Sequence, residues 1–108
     1  MAVGSVTVKH IHLPGNSTKF VVDGTVERIP CKILLDSGAS VSCVSSKLIK
    51  KHKILSSNRQ LFTAAGTKLD SAGQAHVSLS LGVASTTSMK VEVINGLAFD
   101  CILGVDGL

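Results

Sequence analysis

Short stretches of alternating apolar and polar residues run through most of this chain, separated by pairs of turn-forming residues. From Ser5 to His12, Val6, Val8 and His10 fall on one side of an extended chain and Thr7, Lys9 and Ile11 on the other. That period of two predicts a strand, ended by Leu13-Pro14-Gly15-Asn16. Lys19 to Val22 predicts a second strand, and Asp23-Gly24 offers the two φ-permissive residues of a hairpin turn. Thr25 to Leu35 then returns as a third strand, with Pro30 as a point where it can kink. Its end, Ile33-Leu34-Leu35, is continuously apolar, as expected of a strand buried on both faces.

A polar loop, Asp36-Ser37-Gly38-Ala39-Ser40, follows directly, and Val41 to Val44 resumes an apolar strand. Ser45 or Ser46 can cap a short helix through about Lys51, with Leu48 and Ile49 facing inward. Gln60 to Ala64 and Lys68 to Ser71 flank Ala65-Gly66, a hairpin tip, and Gly73 is expected to break the next segment. His76 to Leu81 alternates cleanly, Gly82 to Thr87 is a turn region, Met89 to Ile94 a strand and Asn95-Gly96 a turn. The chain closes on the apolar run around Cys101-Ile102-Leu103-Gly104. The pattern predicts an all-β, compact, barrel-like single domain over residues 1–108, with one short helix and no linker or repeat.

Composition sharpens this picture. With three Phe and no Tyr or Trp, the core has to be built from Val, Ile, Leu and Ala, which favours strands. Ten Gly against two Pro suit many tight turns. The net charge of +4 is concentrated in Lys47, Lys50, Lys51 and Lys53, with His52 among them. That stretch reads as the solvated face of a short helix, and nucleic acid is disfavoured as a partner because no aromatics are interleaved. His10 and His12 lack a clustered third ligand, so no metal is expected. The three cysteines, Cys31, Cys43 and Cys101, are scattered in apolar runs and read as small buried hydrophobes in a reducing, intracellular setting. No apolar run approaches the roughly 20 residues of a membrane span, and no leader pattern is present, so no membrane partner is expected.

Asp36-Ser37-Gly38 alone is ordinary turn chemistry. Its context makes it informative: a buried strand delivers a carboxylate to a tight turn, and Gly38 lets the main chain approach a ligand or another turn. Leu34-Leu35-Asp36-Ser37-Gly38-Ala39 resembles the active-site loop of retroviral and retrotransposon-type aspartic proteases, the retropepsin-like family. Val21-Val22-Asp23-Gly24-Thr25 falls where that family has the hairpin before the catalytic strand, and Ala64-Ala65-Gly66-Thr67 where it has its mobile flap. Ile102-Leu103-Gly104 resembles the element that packs beside the catalytic loop, and Val105-Asp106-Gly107-Leu108 the family's ending in long-terminal-repeat elements. The correspondence runs from about Lys19 to Leu108. Ser37 stands where many members have Thr, and both carry the hydroxyl.

The resemblance implies an acid-protease barrel that is one half of a two-fold dimer, without cofactor or metal. Asp36 would be the catalytic carboxylate, and Ser37 would tie the two active-site loops together. Gly38 and Ala39 would contact substrate, Ala64, Ala65, Gly66 and Thr67 would form the flap, and Ile102, Leu103 and Gly104 would support the site. Asp-Ser-Gly occurs once, since Asp70-Ser71 is followed by Ala72, so a second catalytic carboxylate has to come from a second copy. Retroviral members continue into a helix and a terminal strand of a shared dimer sheet, whereas this sequence stops at Leu108, which leaves open which surface holds the homodimer. The expected substrate is a peptide or Gag-Pol-like polyprotein, in cytoplasm or a virus-like particle. Two other readings stand beside it: a cellular, domesticated protease with a host substrate, and a dimeric peptide-binding scaffold without turnover.

Overall fold

The computed structural model describes residues 8–11, 19–36, 39–63, 66–82 and 86–104. In chain order its strands are β1 (Val8–Ile11), β2 (Lys19–Val26), β3 (Ile29–Asp36), β4 (Cys43–Ser45), β5 (Gln60–Thr63), β6 (Ser71–Leu81), β7 (Thr87–Ile94) and β8 (Cys101–Leu103). β2, β3, β8, β4, β7 and β6 close into a barrel in that order, with β2 returning to pair with β6. β1 and β5 form a separate parallel pair, Val8 opposite Gln60 and Ile11 opposite Thr63. The expected all-β barrel is therefore the fold of this chain.

Strand alternation explains how so few aromatics make a core. Ile33, Val44, Cys101 and Leu103 pack with Val26, Val77, Leu79, Val91 and Val93 in one buried cluster. Their strand neighbours Leu34, Cys43 and Ile102 pack with Ala39, Val41, Leu61 and Ile94 in a second. Successive side chains point to opposite faces of a strand, so the β3–β8–β4 region is buried on both. The continuous run Ile33-Leu34-Leu35 is what such a position demands. Along β6, Val77 and Leu79 are buried while His76 is exposed, as the alternation predicts.

Four local expectations are corrected. The β2–β3 turn is not at Asp23-Gly24: β2 runs through both residues, and the chain reverses at Glu27 and Arg28, whose φ values are 52° and 67°. Two consecutive left-handed residues are what a two-residue hairpin of matching twist requires, and for non-glycine residues they cost roughly 1–2 kcal/mol each. Tertiary contacts hold them there. The Glu27 N–H donates to the Ser78 carbonyl at 2.8 Å, the Ser78 N–H donates to Glu27 Oε2 at 2.8 Å, and Lys53 pairs with the same carboxylate. Gly24 serves a different purpose, close approach: a Cβ there would lie 2.3 Å from the Ser80 carbonyl oxygen and 2.6 Å from Ile33 Cδ1.

The short helix is realised as two single 3-10 turns, Ser46–Leu48 and Lys51–Lys53, with no side-chain cap at either. An α-helix here would stack Lys47 on Lys50 and Lys51, like charges three and four residues apart, and neither turn has an acidic residue at its start to offset them. Ile49 is nevertheless buried and Leu48 partly so, as expected. Finally, Gly73 does not break its segment. β6 runs through it with a bulge between Ser71 and Gly73, where Gly73 takes a φ of 131°. Of the expected strand Lys68 to Ser71, Ser71 opens β6 and Lys68 keeps an isolated bridge to Phe62.

Candidate active site

The loop that follows Asp36 joins two strands that are not neighbours. β8 lies between them, parallel to β3 (Leu34 opposite Ile102, Leu35 opposite Leu103) and antiparallel to β4 (Cys43 opposite Ile102, Val44 opposite Cys101). The loop therefore has to pass over the end of β8, and Gly104 sits at that crossing. A Cβ on Gly104 would lie 2.7 Å from the Ala39 carbonyl oxygen and 2.9 Å from that of Val41. Only a residue without a side chain lets the loop close over it. The Gly104 N–H donates to Ser42 Oγ at 3.0 Å, and the Ala39 N–H donates to the Asp36 carbonyl at 3.1 Å, closing the turn. Asp36 is thus delivered by a strand buried on both faces to a loop clamped at two points.

Of the residues singled out in the sequence, the structure gathers Asp36, Ala39, Ile102, Leu103 and Gly104 into this one arrangement, all of them buried. The Asp36 side chain is fully enclosed, at 0 % exposure. Ser37, Gly38, Ala64 and Ala65 lie outside the described residues, as do Val105 to Leu108. Gly66, with a φ of 89°, and Thr67 are exposed beyond the end of β5. The two arms of this segment are joined by the Leu69 N–H to the Leu61 carbonyl at 2.8 Å. Leu61 roots it beside the Asp36 loop by packing with Leu34, Ala39, Val41 and Ile102.

Two features escaped the sequence reading. Phe20 and Val21 are exposed apolar side chains on β2, Phe20 opposite Leu35 and next to the pair Lys19–Asp36. Their alternation resembles any strand, and only the end of the barrel leaves them uncovered. The second is Glu92, 1 % exposed on β7. Gln74 Nε2 donates to its Oε2 at 2.7 Å, Ser57 Oγ donates to Oε1 at 3.3 Å, and Arg59 lies 3.9 Å away. The Glu92 N–H also donates to the Ser42 carbonyl at 3.1 Å, which connects this cluster to the loop over Gly104. In sequence Glu92 alternates with Val91 and Val93 like a solvent-facing residue; the segment carrying Ser57 and Arg59 covers it.

The remaining titratable groups point away from other chemistries. Burial pushes the Cys101 thiol up to about 12, with Cys31 and Asp100 adding to the effect, and burial also raises Cys31. A thiolate nucleophile is therefore disfavoured at both. All three cysteines are free; Cys43 and Cys101 are buried as expected, whereas Cys31, on β3, is only partly buried. Among the described residues no group of three or more His, Cys, Asp or Glu could hold a metal ion; His10 lies in β1 and His12 falls outside the description. Lys47 and Lys53 of the basic stretch pair with Asp100 and Glu27 respectively. Among the described residues no helix is long and apolar enough to cross a membrane.

Comparison with protein families matches residues 22–108 to the one described as gag-polyprotein putative aspartyl protease. Comparison with curated protein sequences finds no match. Among solved structures, the chain is similar to the retroviral protease-like domain of Ddi1 from Leishmania major, with a TM-score of 0.60 and 18% identity over 89% of this chain and 75% of that one. It is similar to the EIAV protease in complex with an inhibitor, with a TM-score of 0.59 and 17% identity over 87% and 89% of the two chains. A retropepsin-like aspartic protease from Rickettsia conorii gives a TM-score of 0.55 and 22% identity over 80% and 67%. At these identities the structural likeness concerns the fold.

Proposed function

The chain belongs to the gag-polyprotein putative aspartyl protease family, and from that premise we propose that it is an aspartic endopeptidase working as a homodimer, with Asp36 as the catalytic carboxylate of each copy. The observation that carries this reading is the clamped loop: a buried strand delivers Asp36 to a turn held over Gly104 and Ser42. A carboxylate placed with that rigidity suits chemistry that depends on position.

Peptide hydrolysis by this route needs two carboxylates sharing one proton around a water molecule. Asp36 in its ionised form takes a proton from the water as its oxygen adds to the scissile carbonyl carbon. The protonated Asp36 of the partner subunit gives its proton to the carbonyl oxygen. Collapse of the tetrahedral intermediate returns a proton to the leaving nitrogen and breaks the C–N bond. Ser37 would join the two loops across the axis, Gly38 and Ala39 would line the cleft, and Ala64, Ala65, Gly66 and Thr67 would close over an extended peptide held by main-chain bonds. Phe20 and Val21 add exposed apolar surface beside the site for a second copy or a substrate. A Gag-Pol-like polyprotein is the substrate this reading favours.

One observation supports a second reading. Asp36 is enclosed within the single chain, and a carboxylate that water and substrate do not reach would leave the fold as a peptide-binding scaffold. A host-protein substrate remains the alternative within the protease reading. A mixed peptide library at about pH 5 to 6, where a shared-proton carboxylate pair is active, separates these readings. It is run beside Asp36→Asn and a pepstatin-like inhibitor, with the mass in solution measured in parallel. Cleavage abolished by both supports the protease, cleavage that survives Asp36→Asn removes Asp36 from the mechanism, and a monomer without turnover favours the scaffold.

A further inference from the structure

The basic stretch that the catalytic reading leaves unused does not end in open solvent. Residues 48–53 face the β2–β3 turn across a hollow of about 470 Å³ lined by Arg28, Ile29, Leu48, Lys50, His52 and Lys53. Arg28 is brought there from a distant part of the chain by the left-handed turn at Glu27 and Arg28. Glu27, the one acidic residue at the rim, is already engaged: Lys53 pairs with it and the Ser78 N–H donates to its other oxygen. Arg28, Lys50 and His52 are exposed, and among the described residues no hydrogen bond or ion pair engages their side chains. Between these side chains lie Ile29, 42 % exposed, and the partly buried Leu48. The hollow thus offers cationic walls around an apolar floor.

We propose that this hollow is a docking site for an acidic peptide segment that places an aliphatic side chain on Ile29 and Leu48 and carboxylates against Arg28, Lys50 and His52. Charge complementarity selects the sign of the occupant, in a chain of net charge +4. The apolar floor argues for a peptide rather than a small anion, which would leave Ile29 uncovered. Single-stranded nucleic acid needs stacking platforms, and none of the three Phe lines the hollow. The site is remote from Asp36. Lys19 pairs with Asp36 at one end of the β2–β3 ribbon and Val26 with Ile29 at the other, roughly 23 Å away at strand rise. Occupant and cleavable peptide can therefore bind together, and the site does not depend on the protease reading.

The test uses the full chain carrying Asp36→Asn, so that no probe is cleaved, and fluorescence anisotropy with labelled peptides. The probe is Glu-Glu-Leu-Asp-Ile-Glu-Glu; its controls are the Gln/Asn analogue with the same aliphatic residues and the analogue with Ser in their place. Saturable binding of the acidic probe is expected, weakened by salt and by either control. Arg28→Asn suits the left-handed φ and Lys50→Gln is on the surface, so the double variant keeps the fold. It should lose about tenfold in affinity, the scale of two exposed charge pairs, and Ile29→Thr should weaken binding too. Absence of saturable binding, or affinity unchanged in the double variant, overturns the proposal. An oligouridylate that binds more tightly than the acidic peptide and displaces it replaces the peptide with nucleic acid, and so also overturns it.

Discussion

Replacing Gly104 with Ala tests how the loop over β8 holds Asp36. The added Cβ would stand 2.7 Å from the Ala39 carbonyl oxygen, 2.9 Å from the Val41 oxygen and 3.0 Å from the Val41 carbonyl carbon. Even the tightest C–H···O contacts keep carbon about 3.3 Å from oxygen, so the loop has to move by about 0.6 Å against Ala39. It has little freedom to do so. Ala39 and Val41 are buried with Leu34, Leu61 and Ile102, and the Gly104 N–H is bonded to Ser42. Overpacking of this kind costs about 1–3 kcal/mol. At roughly 4–8 °C per kcal/mol for a domain of this size, the melting temperature should fall by about 10 °C. A displacement approaching 1 Å at the reacting group costs on the order of a hundredfold in rate. With a fluorogenic peptide substrate, assayed well below the variant's melting temperature, kcat should fall to about a hundredth with KM little changed. Gly82→Ala is the control, because nothing lies within 4 Å of its added Cβ and only its φ of 56° is strained. It should lose about 1 kcal/mol and keep its kcat. A Gly104→Ala protein melting within a degree or so of wild type would refute the clamp; a large loss of stability with kcat intact would refute its role in positioning Asp36.

Glu92→Ala should destabilise by about 3 kcal/mol in urea, because it strips the acceptor from Gln74 and Ser57 in a buried place. Arg59→Ala should cost under about 1 kcal/mol, since that side chain is 38% exposed and its guanidinium 3.9 Å away. Glu27 is held below its ordinary 4.5 by the hydrogen bond from Lys53 and then by that from the Ser78 N–H. Its contribution is therefore complete above pH 4.5 and lost as pH falls through the depressed value, and Glu27→Gln should flatten that part of an acid-unfolding curve. Asp100, lowered from 3.8 by the Lys32 N–H and then by Lys47, should add a further loss below pH 3.8. At pH 8 a Cys101 thiol near 12 is ionised in only about one part in ten thousand, so iodoacetamide should modify native Cys31 first and reach Cys101 only on unfolding.

The sequence by itself determined which residues of the barrel strands face inward and where a buried strand ends in a polar loop. Period-two alternation in His76 to Leu81 assigned the buried face of β6. The unbroken run Ile33-Leu34-Leu35 marked a strand buried on both sides, and the polar triplet after it marked the loop. The Ile102-Leu103-Gly104 element could be picked out only by its resemblance to the retropepsin-like pattern, because the demand for no side chain at Gly104 is set by the distant Ala39 and Val41 carbonyls. The alternation and the apolar run are legible because each residue's own chemistry states them.

What the tertiary structure decided is register and closure. Asp23-Gly24 is the better turn by local chemistry, yet the chain turns at Glu27 and Arg28. A turn at that place lets Val22 face Ile33 and Val26 face Ile29, and lets Gly24 pass close under β6 as the barrel closes. Slipping a strand by one residue would send its whole apolar set to the wrong face, a cost spread over many contacts that outweighs strain at two residues. The same non-local contacts cover Glu92 with the segment around Ser57 and leave Arg28 facing Lys50 across a hollow. None of these can be read from neighbours in sequence, because the groups that decide them lie tens of residues apart and meet only once the barrel is closed.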